Sequence, residues 1–369
     1  MRDGWTETTL GEVADVNMGQ SPPGDTYNTD GIGMPFMQGS AEFGEHYPEP
    51  VKFCSAPAKI AEVGDLLLSV RAPVGDSNFA NQRIAIGRGL ATVRAKRGAD
   101  TNFLRLVIQL NTAGLLATSG TGMFSSITGK NLREFGVNLP PLVEQKRIVD
   151  VVSSVDAYID ALQQQADTTR TARNAVLHEL LSAGGDDWTE TTLGEIAEAS
   201  WGNTSVTKKQ YKESGYTAFS ASGPDGFVDW FEHDEKGVVL SAIGALCGKT
   251  WLADGKWTPI KNTIWIKSKS EECLTEYLFL VSKIPDLWPI RGQAQPFISL
   301  GDVRQVDLSL PPVTKQMQIV EIVSSMDEVI QSTEQAVADA KNLRSGLLSD
   351  LLSGEHKIPE SYDKFVGVV

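Results

Sequence analysis

The sequence predicts an α+β protein: two mixed α/β domains separated by two long helices that pair as an antiparallel coiled coil, arranged as a pseudo-twofold internal repeat. Three observations support this prediction. The octapeptide Trp-Thr-Glu-Thr-Thr-Leu-Gly-Glu at 5–12 recurs letter for letter at 188–195. A Leu-Pro-Pro segment opens similar stretches at 139–182 and 310–353. Both stretches keep apolar residues at alternating spacings of four and three over several heptads, which is typical of coiled coils.

The repeat sets the predicted domain boundaries. They are 1–139 for the first mixed domain, 140–184 for the first helix, 185–310 for the second mixed domain, 311–354 for the second helix and 355–369 for a C-terminal tail. Because the first helix delivers the chain to the second domain and the second helix leaves it, pairing along one seam must be antiparallel. We expect this pairing to put the domains at opposite ends, facing the same side.

The helix seam is predicted from the a and d positions of the heptads. Its apolar members are Ile148, Val152, Val155, Ile159, Leu162, Val176, Leu180, Ile319, Val323, Met326, Ile330, Val337, Leu347 and Leu351. Arg173 and Arg344 occupy equivalent positions on the same seam. In an antiparallel pair each arginine approaches the early part of the other helix, where Asp327 or Asp156 lies, and an ion pair there would set the register of the helices. The alternative is that both guanidinium groups extend to water.

The mixed domains are predicted from short apolar runs among many glycines and prolines. Strands are expected at 65–70, 237–241 and 263–267, and helices at 102–117 and 273–283. Equivalent positions lie 183 residues apart at the start of the domain and 171 apart at its end, so the second domain is 12 residues shorter. A common frame with a divergent interior indicates that the two domains bind different targets.

The bulk composition restricts the class of protein. A net charge of −14 argues against wrapping nucleic acid by bulk electrostatics. The charge is uneven, however: the first domain is nearly neutral and the helices are acidic, so nucleic-acid contact is expected from local basic patches. Cys54, Cys247 and Cys273 are too few and too scattered for a disulfide framework or a zinc site. With no apolar signal region and no membrane span, we expect a cytoplasmic protein.

Basic and amide side chains in the mixed domains are candidates for DNA contact. Between 77 and 99 the chain has five basic residues and no acidic one, and arginine and lysine on loops can bind phosphates and guanine edges. The candidates are Gln20, Ser21, Arg71, Arg83, Arg88, Arg94, Lys130, Lys208, Lys209, Lys249, Lys261, Gln293 and Gln295. The alternative is that the charged runs are solvated strand faces.

No catalytic or metal-binding constellation is evident. The segment 244–250 resembles a phosphate loop but is one spacer residue short. Glu144-Gln145-Lys146 has the spacing of some nuclease motifs, but it lies at a helix start and lacks an acidic partner upstream. The four histidines show neither metal-ligand spacing nor a triad pattern. We therefore predict a binding protein that is not an enzyme and has no catalytic residues, no metal and no cofactor of its own.

The ordered, duplicated set of motifs resembles the specificity subunit of type I restriction–modification systems, over essentially the whole chain. The octapeptide and its copy, the Leu-Pro-Pro-Leu-Val-Glu-Gln helix opening, and the segments 64–73 and 87–91 are similar to segments of that family. The second helix opening departs from the first, because Lys315 stands where Glu144 does.

The resemblance implies two target recognition domains, each reading one half of a bipartite, asymmetric double-stranded DNA site, with the helices setting the unread spacer. It also implies two modification subunits that bind S-adenosylmethionine and methylate adenine. Restriction subunits that use ATP and Mg²⁺ to cleave DNA join them. All these cofactors are expected on the partner subunits.

Two other readings stay open. A non-catalytic repeat scaffold could join two protein partners through its variable domains. A fragment of a single-chain restriction–methylation enzyme is the third reading, which the complete double repeat and the absence of methyltransferase motifs disfavour.

Overall fold

The computed structural model describes residues 4–45, 47–117 and 126–364. The chain divides into two compact units, one of residues 1–161 with 336–369 and the other of residues 162–335. We call these the first and second units. Each unit contains one mixed domain together with one half of each long helix.

The first mixed domain is built on three sheets. Its strands are β1 (Thr6–Thr9), β2 (Ala14–Met18), β3 (Tyr27–Asn28), β4 (Met34–Met37), β5 (Lys52–Cys54), β6 (Ile60–Ala61), β7 (Leu66–Ser69), β8 (Ser77–Phe79), β9 (Ile84–Ile86), β10 (Leu90–Ala95) and β11 (Gly136–Leu139). Its helices are α1 (Leu10–Val13), α2 (Thr101–Leu110), α3 (Thr112–Ala117) and α4 (Gly129–Arg133). The sheet orders are β1-β11, β2-β10-β7-β8 and β3-β5-β4-β9-β6.

The second mixed domain repeats two of these sheets and shortens the third. Its strands are β12 (Thr189–Thr192), β13 (Ala197–Trp201), β14 (Tyr216–Ser220), β15 (Gly223–Val228), β16 (His233–Asp234), β17 (Gly237–Ser241), β18 (Thr250–Ala253), β19 (Lys256–Pro259), β20 (Thr263–Ser268) and β21 (Asp307–Leu310). Its helices are α6 (Leu193–Ile196), α7 (Thr275–Val281) and α8 (Leu300–Arg304). The orders β12-β21 and β13-β20-β17-β18 match the first domain, and β15-β14-β19-β16 has one strand fewer than its counterpart.

The apolar runs form central strands because both of their faces are buried. In β7, Leu66 and Leu68 join one hydrophobic cluster and Leu67 joins another. In β17, Val238 and Leu240 face one cluster and Val239 faces a second. Alternate side chains of a strand point to opposite faces, so an uninterrupted apolar run is required where both faces are covered.

The repeated octapeptide encodes the first strand and a capped helical turn. Thr9 and Glu12 form a capping box at α1, in which the Glu12 carboxylate accepts the Thr9 backbone N–H at 2.9 Å. Thr192 and Glu195 form the same box at α6, at 3.0 Å. Hydrogen bonds lower the pKa of both glutamates. At Glu12 the bond donated by the Thr8 hydroxyl contributes most, and at Glu195 the bond from the backbone N–H of Thr192 does. The motif therefore acts as a local folding signal.

The long helices run from Leu142 to Ser182 (α5) and from Val313 to Ser353 (α9). In the first unit, Ile148 and Val152 of α5 share a buried cluster with Leu348 and Leu351 of α9. The start of one helix thus packs beside the end of the other. The predicted antiparallel pairing is confirmed. Glycines at positive φ follow both helices: Gly184 at 61° and Gly354 at 76°.

All fourteen predicted apolar seam residues are buried or half-buried. The buried position shifts by one residue near the helix ends, however, where Leu177 and Leu348 are more buried than Val176 and Leu347. An α-helix drifts relative to a strict seven-residue repeat. At these ends the helix packs on a mixed domain as well as on its partner.

Both seam arginines form ion pairs. In the second unit, Arg173 donates from Nε and Nη2 to the two carboxylate oxygens of Asp327, each at 2.9 Å. In the first unit, Arg344 makes the equivalent two-pronged contact with Asp156, with Nη2 to Oδ2 at 3.0 Å. This hydrogen bond, together with the charge of Asp156, raises the pKa of Arg344 against the opposing effect of burial.

A buried glutamine joins each helix start to its mixed domain. Gln145 accepts the backbone N–H of Asp100 at 2.8 Å and donates to the carbonyls of Gly98 and Pro140. Gln316 makes the equivalent three bonds. Sequence reasoning missed this function, although the recurrence of glutamine 171 residues later was the available signal.

The short helices depart slightly from the predicted bounds. The helix expected over 102–117 is interrupted at Asn111, whose side-chain amide donates to the carbonyl of Val107 at 2.9 Å. Such side-chain bonds to the backbone compete with helix continuation. The helix expected over 273–283 is α7.

The described part of the C-terminal tail packs on α5. Arg147 donates from Nε to Asp363 at 2.6 Å, and the hydroxyl of Tyr362 donates to Asp150 at 2.5 Å. The bond to Asp150 raises the pKa of Tyr362 to about 12. None of the helices among the described residues is both long and apolar enough to cross a membrane.

Candidate nucleic-acid interface

Several strand ends meet at one place in the first mixed domain. The backbone N–H of Gln20, after β2, donates to Ile86 at 3.1 Å, and that of Gly89 donates to Gln38, after β4, at 3.0 Å. Val70, after β7, donates to Gly89 at 2.9 Å. We call residues 19–21, 38, 70–71 and 87–89 the first loop cluster.

The second mixed domain forms the same arrangement. The backbone N–H of Asn203, after β13, donates to Pro259 at 2.8 Å, and that of Ala242, after β17, donates to Asn262 at 3.0 Å. Ile260 donates to Phe219, in β14, at 2.9 Å. We call residues 202–203, 220, 242–243 and 260–262 the second loop cluster.

Each cluster needs a glycine where the chain leaves its first central strand. A Cβ at Gly19 would lie 2.2 Å from the carbonyl oxygen of Gly87, and a Cβ at Gly202 would lie 2.4 Å from that of Ile260. Real side chains do not tolerate such distances. The close approach of two backbones therefore builds both clusters, and the side chains around it are free to differ.

Four predicted contact residues of the first domain come together in the first loop cluster: Gln20, Ser21, Arg71 and Arg88. Gln20, Arg71 and Arg88 are exposed, and Ser21 is half-buried. Gln38, which the sequence did not single out, donates from Nε2 to the Ser21 hydroxyl at 2.8 Å. Its position becomes evident only when the strands are paired. Cations and amides on exposed loops suit phosphate and base contact.

Three other candidates of the first domain form ion pairs with carboxylates of the same domain. Arg83 lies 3.1 Å from Glu62, Arg94 lies 2.5 Å from Asp65, and Lys130 lies 3.8 Å from Glu134. The hydrogen bond that Arg94 donates to Asp65 raises the pKa of Arg94. Residues 77–99 contain no acidic residue, but they lie beside Glu62 and Asp65 in the folded chain. These two residues belong to the connection between β6 and β7.

The candidates of the second domain are distributed around its loop cluster. Lys261 lies within the cluster and is exposed. Gln293 and Gln295 lie in a tight loop whose ends, Arg291 and Phe297, pair with each other. Phe297 also forms a β-bridge with Ile243 of the cluster, so the two glutamines are near it.

The remaining candidates are three lysines, all exposed. Lys208 forms an ion pair with Asp225, and the Tyr211 hydroxyl donates to the same carboxylate at 2.7 Å. Lys209 and Lys249 have no ion-pair partner among the residues the structure describes. Lys249 borders an open groove that Trp251, Phe279 and Trp288 also line.

The segments that resemble catalytic motifs have structural roles. The glycine-rich segment 244–250 connects β17 to β18, whereas a phosphate loop must be followed by a helix. Glu144 accepts a hydrogen bond from the indole Nε1 of Trp5 at 3.3 Å. Within the described ranges, no group of three or more His, Cys, Asp or Glu side chains is arranged to hold a metal ion.

Comparison with known proteins agrees with this organisation. The family model of the type I restriction modification DNA specificity domain matches residues 2–168 and again residues 185–340. The chain is 37% identical over 181 residues to a putative type I restriction enzyme MjaX specificity subunit of Methanocaldococcus jannaschii, a match that covers 48% of this chain and 43% of that protein. It is 20% identical to the MjaIX specificity subunit of the same organism, over 84% of this chain and 81% of that protein.

Solved structures share the fold along nearly the whole chain. The S subunit of a type I restriction–modification system from M. genitalium superposes with a TM-score of 0.61 at 16% identity, covering 94% of this chain and 96% of that one. The HsdS subunit from Thermoanaerobacter tengcongensis gives a TM-score of 0.50 at 20% identity, covering 96% and 98%. With the family model matching both halves of the repeat, the chain belongs to the type I restriction–modification DNA specificity family.

Proposed function

We propose that this chain directs a type I restriction–modification complex to its DNA sequence, with each mixed domain reading one half of a bipartite, asymmetric site. Members of the specificity family are the non-catalytic, DNA-recognising part of such complexes. The observation that carries the proposal is that the two domains share one backbone frame and differ in the side chains around it. Two readers of this kind suit a site with two different halves.

The long helices support a role in spacing the two half-sites. Each has 41 residues, which corresponds to about 60 Å at ~1.5 Å per residue. That length approaches two turns of B-DNA at about 34 Å each. Equal length and ungapped equivalence of the two helices are what a spacer of defined length requires.

The chemistry is assigned to partner subunits. Two modification subunits would bind S-adenosylmethionine and methylate adenine, and restriction subunits would use ATP and Mg²⁺ to cleave DNA. This chain would supply double-stranded DNA recognition and the surfaces on which those subunits assemble.

Mapping of methylated adenines tests the proposal. The chain is expressed with its modification subunit in a host that lacks other adenine methylation. We expect one motif with two different specified halves separated by unspecified bases of constant number. A continuous motif would contradict two separate readers. The scaffold alternative requires that no methyltransferase partner co-purifies and that the assembled complex shows no sequence preference.

A further inference from the structure

Strand register aligns the two mixed domains residue by residue. Leu90 pairs with Ser69 in the first domain, and Thr263 pairs with Ser241 in the second. From β9 through β10, residues therefore correspond at an offset of 173. Near α4 and α8 the offset is 171. There the backbone N–H groups of Ile127 and Ile298 donate to the carbonyls of Val70 and Ala242, which are equivalent residues.

Five positions of the mixed domains are basic in both copies. They are Arg83 and Lys256, Arg88 and Lys261, Arg94 and Lys267, Lys96 and Lys269, and Arg133 and Arg304. A position that keeps a cation in two otherwise divergent domains has a common role. The structure shows what four of the five positions do.

Two of the five positions neutralise carboxylates within their own domain. Arg83 and Arg94 pair with Glu62 and Asp65, as described above. Their counterparts Lys256 and Lys267 lie 3.9 Å from Asp234 and 2.5 Å from Glu235. These cations offset charge near the third sheet of each domain.

Two further positions hold backbone carbonyls of the common frame. Lys96 donates from Nζ to the carbonyl of Gly11 at 2.8 Å, and Lys269 donates to the equivalent carbonyl of Gly194. Arg133 donates from Nη2 to Val16 at 3.2 Å. Its counterpart Arg304 donates to Ala199, the residue equivalent to Val16, at 2.8 Å. These cations therefore fasten α1, α4 and their counterparts to the sheets.

The fifth position, Arg88 and Lys261, differs from the other four. Both side chains are exposed. Within the described residues, neither guanidinium nor ammonium has a carboxylate or carbonyl partner. Both lie on the turn between two strands at the centre of their loop clusters, and backbone bonds from the neighbouring strand ends hold that turn.

We propose that Arg88 and Lys261 are equivalent DNA-phosphate contacts, one for each half-site. This inference rests on the proposed function. A phosphate contact positions a protein on DNA without reading sequence, so it can be common to two domains that read different bases. Sequence reading then falls to cluster positions that differ between the domains, namely Gln20 and Asn203, Gln38 and Ser220, and Arg71 and Ile243.

The salt dependence of DNA binding distinguishes this role. The logarithm of the association constant falls linearly with the logarithm of the salt concentration. Each phosphate that a protein neutralises on duplex DNA makes this slope steeper by about 0.9. A fourfold rise in salt therefore costs about 3.5-fold in affinity for each phosphate contact. Loss of a base contact instead relaxes the recognised sequence at one position.

The experiment uses the chain assembled with its modification subunit, binding a duplex that carries its methylation motif at several salt concentrations. Arg88→Ala and Lys261→Ala should each flatten the salt slope by about 0.9, and the double variant by about 1.8. The methylated motif should stay the same. The exchanges Arg88→Lys and Lys261→Arg should keep the wild-type slope, because either cation binds a phosphate.

The matched controls are Arg83→Ala and Lys256→Ala, which also remove exposed cations from one common position. Their charges are paired within the domain, so the slope should be unchanged. Equal flattening by the control variants would overturn the assignment, as would an unchanged slope in Arg88→Ala and Lys261→Ala. A motif that relaxes at one base would show that the side chain reads sequence. If the wild-type complex binds without sequence preference, the proposed function itself fails.

Discussion

At the scale of single residues, the Arg173–Asp327 contact shows how a charge is held in an apolar seam. The Arg173 side chain is 11% exposed, whereas that of Asp327 is 50% exposed. A largely buried cation is tolerated when both of its prongs are hydrogen-bonded. Because the two partners meet in one register of the helix pair, the contact also selects that register.

We expect Arg173→Leu to lower the free energy of unfolding by about 1–2 kcal/mol, because Asp327 loses two charge-assisted hydrogen bonds but stays half exposed to water. Urea unfolding followed by circular dichroism measures the change. The control is Arg170→Leu on the same helix, where the arginine is 46% exposed and the expected loss is below about 0.5 kcal/mol. Equal stability of Arg173→Leu and wild type would remove the register-setting role.

A second residue-scale prediction concerns His233. Its ring stacks on Trp257 at 4.3 Å between centroids and lies 4.7 Å from Trp265. Burial, and then the charge of Lys267, lowers the pKa of His233 below its ordinary value of 6.5. The unfolded chain therefore binds the proton more readily than the folded chain. The contribution of His233 to the free energy of unfolding is fully present above pH 6.5. It is lost as the pH falls through the pKa of His233 in the folded chain.

His233→Phe keeps an aromatic ring but cannot titrate. We expect wild type to lose more unfolding free energy between about pH 7.5 and pH 5.5 than this variant does. Thermal unfolding at both pH values gives the comparison, with the exposed His178→Phe as control. An identical pH dependence in wild type and His233→Phe would show that the half-buried imidazole does not contribute.

At the scale of elements, the two long helices combine a partner seam with a docking surface. Arg173 and Arg344 pair with aspartates of the partner helix, whereas Leu177 and Leu348 near the helix ends join the cores of the mixed domains. The buried glutamines Gln145 and Gln316 fix the opposite ends. Each mixed domain therefore packs on the start of one long helix and the end of the other.

We expect a seven-residue insertion in the middle of both helices, after Ala161 and after Gln335, to lengthen the pair by about 10 Å. Seven residues preserve the phase of the seam. At about 3.4 Å per base pair, the unread spacer of the methylation motif should grow by roughly three base pairs while both halves stay the same.

Methylation mapping reads this result directly. The control is the same insertion in α5 alone, which shifts one helix against the other and should separate an arginine from its aspartate partner. That variant should lose stability and methylation. An unchanged spacer in the double insertion would contradict the role of the helices as a spacer.

At the scale of the whole molecule, the net charge of −14 opposes the proposed DNA binding. Cations at the loop clusters are local, whereas repulsion by the acidic remainder acts on the whole phosphate backbone. We expect the isolated chain to bind its own motif weakly and with strong salt dependence, and the complex with modification subunits to bind far more tightly.

Fluorescence anisotropy of one labelled duplex, with and without the modification subunit at about 50 and 200 mM salt, makes the comparison. A duplex with both half-sites scrambled is the control. Tight, specific binding by the isolated chain at the higher salt would count against the assembled complex as the functional reader.

The paired helices and the duplicated frame could be predicted from the sequence, because each depends on local patterns. Heptad spacing indicates which helix face is buried, and a Thr-x-x-Glu pair indicates a capped helical turn. An apolar run indicates a strand that is covered on both faces. The sequence placed Arg173 near Asp327 but was equally compatible with an arginine extended to water, and the structure shows the ion pair.

The candidate nucleic-acid interface could be predicted from the sequence only in part. Four candidates of the first domain proved to share one loop cluster, but Arg83 and Arg94, which looked equally free, are paired with Glu62 and Asp65. Gln38 was not foreseen. Sequence alone determined which residues carry charge and which elements form. Tertiary structure decided which charges stay unpaired, because that depends on strand pairings between residues far apart in the chain.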